Sequence, residues 1–292
     1  MEGMHYEGFC IRPPSEAKSI LLQVTVGCSH NKCTFCSSYK EKRFRIKDED
    51  TIFRDIQWAA RHLRHCDRLF LMDGDALIIP QKRLLRILDE INRNLPWLKR
   101  IGLYANAKSI RKKTPEQLQE LASRKLSIAY LGMESGDDEV LRAVNKGSTA
   151  REFIDMGRKL KQAGIQVSVT VLLGIAGPEG SPRHAKATGE ALSEMDPEYV
   201  GALTVMLVPG TPLFEQHERG EFSLPDQQGI LRELRQLLQH TELSQGLLTS
   251  NHASNYLPLK VRLPQDKDQA LALLDKALSG GVDLKPEWMR AL

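Results

Sequence analysis

Between Ser19 and about Met206 one pattern recurs: a short apolar, β-branched run, a turn, then a stretch with helical periodicity. "SILLQVTV" (19–26) reads as a buried strand. In "DEDTIFRDIQWAARHLRH" (48–65), Ile52, Ile56, Ala59, Ala60 and Leu63 fall at helical spacing behind Asp48 or Asp50 as N-cap. "RLFLMD" (68–73), "RIGLYAN" (100–106), "SIAYLGM" (127–133), "IQVSVTVLLG" (165–174) and "YVGALTVMLV" (199–208) read as further strands. Helices are expected at 80–95, at 114–124 with Thr114 as N-cap and a glutamine at the capping-box position, in "DDEVLRAVN", in "TAREFIDMGRKLKQAG" ending at Gly164, and at 181–195. Strands alternating with helices imply a parallel sheet with right-handed crossovers.

Six such units in one run predict an α/β chain built as a partial (βα)6 TIM-like barrel. A flat dinucleotide-binding sheet lacks its marker, because no G-x-G-x-x-G follows the first strand. The 292 residues suffice for one barrel-sized core. The expected organisation is an extended N-terminal segment (1–18), a barrel core (19–213) and a C-terminal extension (214–292) packed on it. That extension carries helices near 226–243 and 266–279 around an irregular segment, 247–264.

In such barrels the chemistry gathers in loops after the C-terminal ends of the strands. A cysteine-rich loop follows the first strand, "DGDAL" the second, "NAK" the third, "ESG" the fourth, "GIAGPEG" the fifth and "PGTPL" the sixth. The polar and glycine-rich departures thus share one predicted end. Taken singly, Asp73 and Asp75 read as a turn or helix cap, Glu134–Ser135–Gly136 as an N-cap, and Gly174, Gly177 and Gly180 as turn glycines. Their joint position points instead to a binding site.

The cysteine loop, "VTVGCSHNKCTFCSSYK" (24–40), places Cys28, Cys33 and Cys36 at C-x4-C-x2-C spacing. No apolar run approaches the roughly 20 residues of a membrane helix, and "MEGMHYEGFC" lacks signal-peptide architecture. A cytoplasmic location is therefore expected. In a reducing compartment clustered cysteines serve metal or redox chemistry. Three thiolates suit an iron–sulfur cluster with one open iron, which an amine and a carboxylate can chelate. A zinc site needs a fourth ligand, for which His30 inside the loop is available; Cys10 and Cys66 are distant, and Cys66 reads as a buried thiol.

"GCSHNKCTFC" after a first strand resembles the radical S-adenosylmethionine (SAM) motif, whose commonest form, C-x3-C-x2-C, is one residue shorter in the first gap. The C-x2-C half is intact, and Phe35 gives the aromatic residue that the superfamily favours before the last cysteine. "LGMESGDDEVLRAVNKG" (131–147) and "VPGTPL" (208–213) are similar to the coproporphyrinogen-oxidase and Elongator-like branch. The resemblance spans Ser19 to Leu213. It implies a [4Fe–4S] cluster on Cys28, Cys33 and Cys36, with SAM at the open iron and reductive cleavage to a 5′-deoxyadenosyl radical. It implies that Asp73, Gly74 and Asp75 hold the methionine amino group, that Glu134 and Ser135 approach the ribose or carboxylate, and that the backbone of Gly174, Ile175 and Gly177 meets the adenine. Phe35 and Asn106 join this cofactor-binding set.

The histidine-rich preface to the cysteines typical of coproporphyrinogen oxidases is missing, so that reaction is not expected. Net charge is +4 without a basic stripe, which argues against nucleic acid; "KEKRFRIK" (40–47) reads as a solvated loop edge. A small-molecule substrate and a reductant such as flavodoxin or ferredoxin are the expected partners, with no membrane. Arg12, Lys32, Tyr39, Lys40 and Tyr104 are candidates for substrate or cofactor contact, as is "TSNHASNYLPL" (249–259), whose polar residues serve either a ligand or their own backbone. Two other classes remain open: a non-enzymatic iron–sulfur sensor or electron carrier, and a zinc-stabilised barrel hydrolase or lyase.

Overall fold

The computed structural model describes residues 3–291; Met1, Glu2 and Leu292, the outer ends of the expected terminal segments, lie outside the described residues. In chain order the elements are β1 (Ile20–Gln23), β2 (Thr25–Val26), β3 (Arg45–Ile46), α1 (Glu49–His62), β4 (Arg68–Met72), α2 (Gln81–Asn94), β5 (Arg100–Ala105), α3 (Ala107–Arg111), α4 (Pro115–Ala122) and β6 (Leu126–Glu134). There follow α5 (Asp138–Ala143), α6 (Ala150–Gln162), β7 (Gln166–Leu173), α7 (Gly177–Met195), β8 (Tyr199–Thr204), α8 (Pro212–Glu218), α9 (Gln227–Gln239), β9 (Gly246–Thr249), β10 (Lys260–Leu263) and α10 (Lys267–Leu278). The main sheet runs β1-β4-β5-β6-β7-β8-β9-β10.

The chain divides into two compact units. The first takes the residues up to Asn31, then Ser38–Leu131 and Lys159–Val167; the second takes Lys32–Ser37, Gly132–Arg158 and Ser168 onward.

In the first unit β1, β4, β5 and the start of β6 pair in parallel, with Ile20 opposite Leu69, Arg68 opposite Arg100 and Leu103 opposite Ala129. β4 is buried along nearly its whole length, as a parallel strand covered on both faces must be. α1 starts where Asp48 accepts the Thr51 N–H at 2.8 Å, and its Ile52, Ile56 and Ala59 turn inward. α4 carries the expected capping box: Thr114 and Gln117 each accept the other's backbone N–H.

In the second unit β7 and β8 pair in parallel from Ser168↔Tyr199 to Leu173↔Thr204. β9 adds in parallel beside β8, and β10 turns back antiparallel to β9. Val140, Val144, Leu172, Ile175, Val205 and Leu213 form a buried cluster, with Phe35 packed against it.

The structure departs from the sequence reading at several places. The run 19–26 is two strands. At Val24 the backbone changes partner: its N–H donates to the Met72 carbonyl and its carbonyl accepts from Lys47, so β2 pairs with β3 instead of continuing the main sheet. The segment 247–264, expected to be irregular, contains β9 and β10, whose few residues each are too short for periodicity to register. α7 begins at Gly177, four residues ahead of the expected start, and runs through Pro182; the glycines and prolines of "GPEGSP" mask a helix whose Pro178 lies in the tolerant first turn. α3 and α8 were hidden by their brevity. Cys66, expected to be buried, is partly exposed.

Candidate functional site

In the first unit the loop after β4 holds two carboxylates at 0% exposure, Asp73 and Asp75. Asp73 Oδ2 accepts from the Gly27 N–H (2.9 Å), Gln23 Nε2 (3.2 Å) and Lys42 Nζ (3.3 Å). Asp75 Oδ2 accepts from Ser29 Oγ (2.6 Å) and Asn106 Nδ2 (2.7 Å). The other oxygen of each, Asp73 Oδ1 and Asp75 Oδ1, is buried without a well-formed hydrogen bond, although Ser109 and the Ile78 N–H also lie close to the Asp75 carboxyl. Such an oxygen is costly unless a donor comes to it. Burial pushes the Asp75 carboxyl up to about 6, against the polar groups of Ser29, Ser109, Asn106 and the Ile78 backbone, which favour its ionised form. Between the two, Gly74 lies flat on the start of the cysteine loop: a Cβ there would stand 2.8 Å from Cys28 Cβ and 3.0 Å from Tyr39 Cε2. Asn106 caps α3, accepting the Ser109 N–H at 2.9 Å while its amide reaches Ser29 and Asp75.

In the second unit Thr34 is pinned by two backbone bonds, its N–H to Val144 and its carbonyl from Leu213. Phe35 thereby sits on the apolar cluster, with Lys146 Nζ 6.0 Å from its ring centroid. Glu134 ends β6 in the left-handed region (φ 68°), and its Oε1 lies 2.8 Å from Lys146 Nζ. Ser135 Oγ is 2.8 Å from His184 Nδ1 and accepts the Asp137 N–H at 2.9 Å. Gly174 and Gly177 both take positive φ (82° and 68°), closed by a Gly177 N–H to Gly174 carbonyl bond of 3.1 Å. The Ile175 side chain is core, leaving the backbone of this turn as its polar surface.

Cys28 belongs to the first unit, Cys33 and Cys36 to the second; none is in a disulfide and all are partly exposed. Among the described residues no three His, Cys, Asp or Glu side chains are gathered to hold a bare metal ion. His30 Nδ1 lies 3.5 Å from Lys108 Nζ.

The further candidates divide. Tyr104 stacks edge-on with Phe70 and Tyr130, and burial raises its phenol far above the ordinary value. Tyr39 is buried, with its carbonyl accepting from Asn31 Nδ2 at 2.7 Å. Lys32 and Lys40 are exposed, as is Arg12, whose Nη1 lies 3.4 Å from the Pro13 carbonyl. In 249–259 Asn255 serves the fold: its Nδ2 donates to the Ala202 and Ser250 carbonyls and its Oδ1 accepts from Thr204 Oγ1.

Several site residues escaped the sequence reading. Lys42 and Lys47 come from the basic stretch expected to be a solvated edge, yet both turn inward onto Asp73 and Asp55. Ser29 and Lys146 lie inside the quoted motifs without an assigned role, and His184 and Glu233 carry no motif. Only the register of loops and helices brings them to the named residues.

The family model for the Radical SAM superfamily matches residues 22–185, more than half of the chain. An uncharacterized protein of Methanocaldococcus jannaschii is 23% identical over 256 residues, 84% of this chain and 77% of that one. Coproporphyrinogen III oxidase (HemN) from Escherichia coli, a radical SAM enzyme, aligns with a TM-score of 0.54 and 15% identity, over 76% of this chain and 52% of its own. The radical SAM methyltransferase TsrM from Kitasatospora setae, solved with cobalamin and a [4Fe–4S] cluster, aligns at 0.53 and 19% identity, over 68% of this chain and 37% of its own. The chain thus spans about half or less of these two solved proteins, and at these identities the likeness to them is one of fold. No helix among the described residues is long and apolar enough to cross a membrane.

Proposed function

Because the chain belongs to the radical SAM superfamily, whose cofactors are a [4Fe–4S] cluster and SAM, we propose that it is a radical SAM enzyme acting on a small-molecule substrate. Cys28, Cys33 and Cys36 hold the cluster in this reading. When bound, the cluster and SAM supply a 5′-deoxyadenosyl radical that abstracts hydrogen from the substrate.

The chain's own residues do the rest. Asp73 and Asp75 each keep one buried oxygen without a well-formed hydrogen bond, and a cationic amino group supplies a donor to each in this reading. This pair of orphan oxygens, beside a glycine packed on Cys28, is the observation that carries the reading. Asn106 and Ser29 orient Asp75. Lys146 holds Glu134 at the end of β6, beside Ser135, where the resemblance puts ribose or carboxylate contacts. The Gly174–Gly177 turn offers backbone to the adenine, and Phe35, next to the last cysteine, packs against the apolar cluster. Residues 19–213 form the catalytic core in this proposal and 214–292 an extension of it; electrons come from a flavodoxin- or ferredoxin-type donor.

The test is anaerobic reconstitution. Four irons and four sulfides per chain are expected, as befits a [4Fe–4S] cluster, with 5′-deoxyadenosine formed after dithionite reduction in the presence of SAM. An intact cluster that gives no 5′-deoxyadenosine and whose spectrum ignores SAM would mark a sensor or electron carrier. One zinc without sulfide would mark a zinc-stabilised barrel.

A further inference from the structure

Helix α9 lies beyond the part of the chain that the family model covers. Its inner face nevertheless bears directly on the Gly174 turn, through two residues one helical turn apart. Ile230 supplies the apolar contact: a Cβ at Gly174 would stand 2.8 Å from Ile230 Cδ1. Glu233 supplies the polar one. It is 1% exposed, and its Oε1 accepts the Gly174 N–H at 2.7 Å. Its Oε2 accepts from Ser181 Oγ, in α7. Oε1 also lies 3.4 Å from His184 Nε2, a nitrogen 3.1 Å from the Leu172 carbonyl. His184 Nδ1 in turn meets Ser135 Oγ. One buried chain of polar groups therefore joins the end of β6, the turn after β7, and α9.

A buried carboxyl is expensive unless its oxygens are hydrogen-bonded. Here both oxygens are committed to the backbone and side chains around one turn. The turn itself contains two positive-φ glycines, whose freedom makes its shape depend on outside support.

We infer that Glu233 is a positioning residue for nucleoside binding: it fixes the Gly174–Gly177 backbone in the form that receives the adenosyl half of the cofactor. The C-terminal extension, through α9, is thus part of the cofactor site's support. This rests on the cofactor reading proposed above for the same turn.

The experiment compares wild type, Glu233→Ala and Glu233→Gln as full chains. Two quantities are read: hydrogen exchange at residues 172–178 without cofactor, and the affinity for SAM by anaerobic calorimetry on unreduced, reconstituted protein. Glutamine keeps an acceptor for the Gly174 N–H, and its amide donates to the Ser181 hydroxyl, which can accept as well as donate. The alanine variant is expected to exchange faster at the turn and to bind SAM about tenfold or more weakly, with iron and sulfide unchanged. The glutamine variant should stay within about threefold of wild type in both readouts. Should the alanine variant fail to fold, Glu233→Asp, one methylene too short to reach Gly174, takes its place with the same expectation. A loosened turn with undiminished SAM affinity overturns the inference, and so does a turn that stays protected. Failure of the wild type itself to bind SAM removes the cofactor reading instead, so the two failures are distinct.

Discussion

Lys42 Nζ lies 3.3 Å from Asp73 Oδ2 and 2.6 Å from the Phe9 carbonyl, so one ammonium joins a fully buried carboxylate to the N-terminal segment. Gln23 makes a parallel connection, its amide meeting the backbone of Glu7 on one side and Asp73 on the other. The N-terminal segment is held against the same carboxylate whose second oxygen is buried without a hydrogen bond.

Removing Lys42 leaves Asp73 buried without its counter-charge. Lys42→Met should therefore destabilise by about 3 kcal/mol, the cost typical of breaking a buried pair from one side. In the double variant with Asp73→Asn the loss should be smaller than for Lys42→Met alone, since no uncompensated charge remains. Urea unfolding of the four species of this cycle measures both. Additive losses would mean that the pair is not coupled.

Glu233 and His184 predict opposite pH slopes. Burial raises the Glu233 carboxyl to about 7 from an ordinary 4.5, so its contribution to stability is complete below about pH 4.5 and is lost as pH rises through 7. Burial lowers His184 to about 4 from 6.5, so its contribution is present above 6.5 and lost as pH falls through 4. Between pH 4.5 and 6.5 the two oppose each other in the wild type. In Glu233→Gln the melting temperature should rise with pH across that window, and in His184→Gln it should fall. Parallel profiles for the two variants would refute the assignment.

Gly74 and Gly164 make a matched pair. A methyl at Gly74 meets the backbone and Cβ of Cys28, so Gly74→Ala should displace that cysteine and lower the iron bound on reconstitution by half or more, on the order of what a misplaced ligand costs. Gly164 has positive φ but open space around its Cβ position. Gly164→Ala should cost about 1 kcal/mol of stability with iron content unchanged. Iron assay and thermal melting on the two variants separate crowding at the site from backbone strain.

Asn255 is a structural amide. It is 3% exposed and its three hydrogen bonds close the end of β8. Asn255→Ala leaves the Ala202 and Ser250 carbonyls and the Thr204 hydroxyl without it, and should cost about 2–4 kcal/mol. Normal thermal stability in that variant would return the 249–259 segment to the list of ligand contacts.

The alternation of strand and helix was legible because burial imposes it locally. β4, β5, β6, β7 and β8 must each bury a short apolar run, and α1 and α2 one face, so periodicity marks them. Caps such as Asp48 and Thr114 were legible for the same reason: each satisfies N–H groups within three residues. The spacing of Cys28, Cys33 and Cys36, and the glycines of the β7 turn, pointed to a cofactor site through their resemblance to a family motif and their shared place after strands. What no local pattern encodes is which distant group compensates a buried charge. Lys42 reads as one of many lysines in a basic stretch, and Glu233 as one polar position on an amphipathic helix. Only the tertiary structure turns Lys42 onto Asp73 and carries Glu233 to Gly174, fifty-nine residues away in sequence. The physical reason is that desolvation is set by everything packed around a side chain. The sequence determined the main alternation of strand and helix; the packed chain decided which carboxylates keep a buried oxygen without a hydrogen bond.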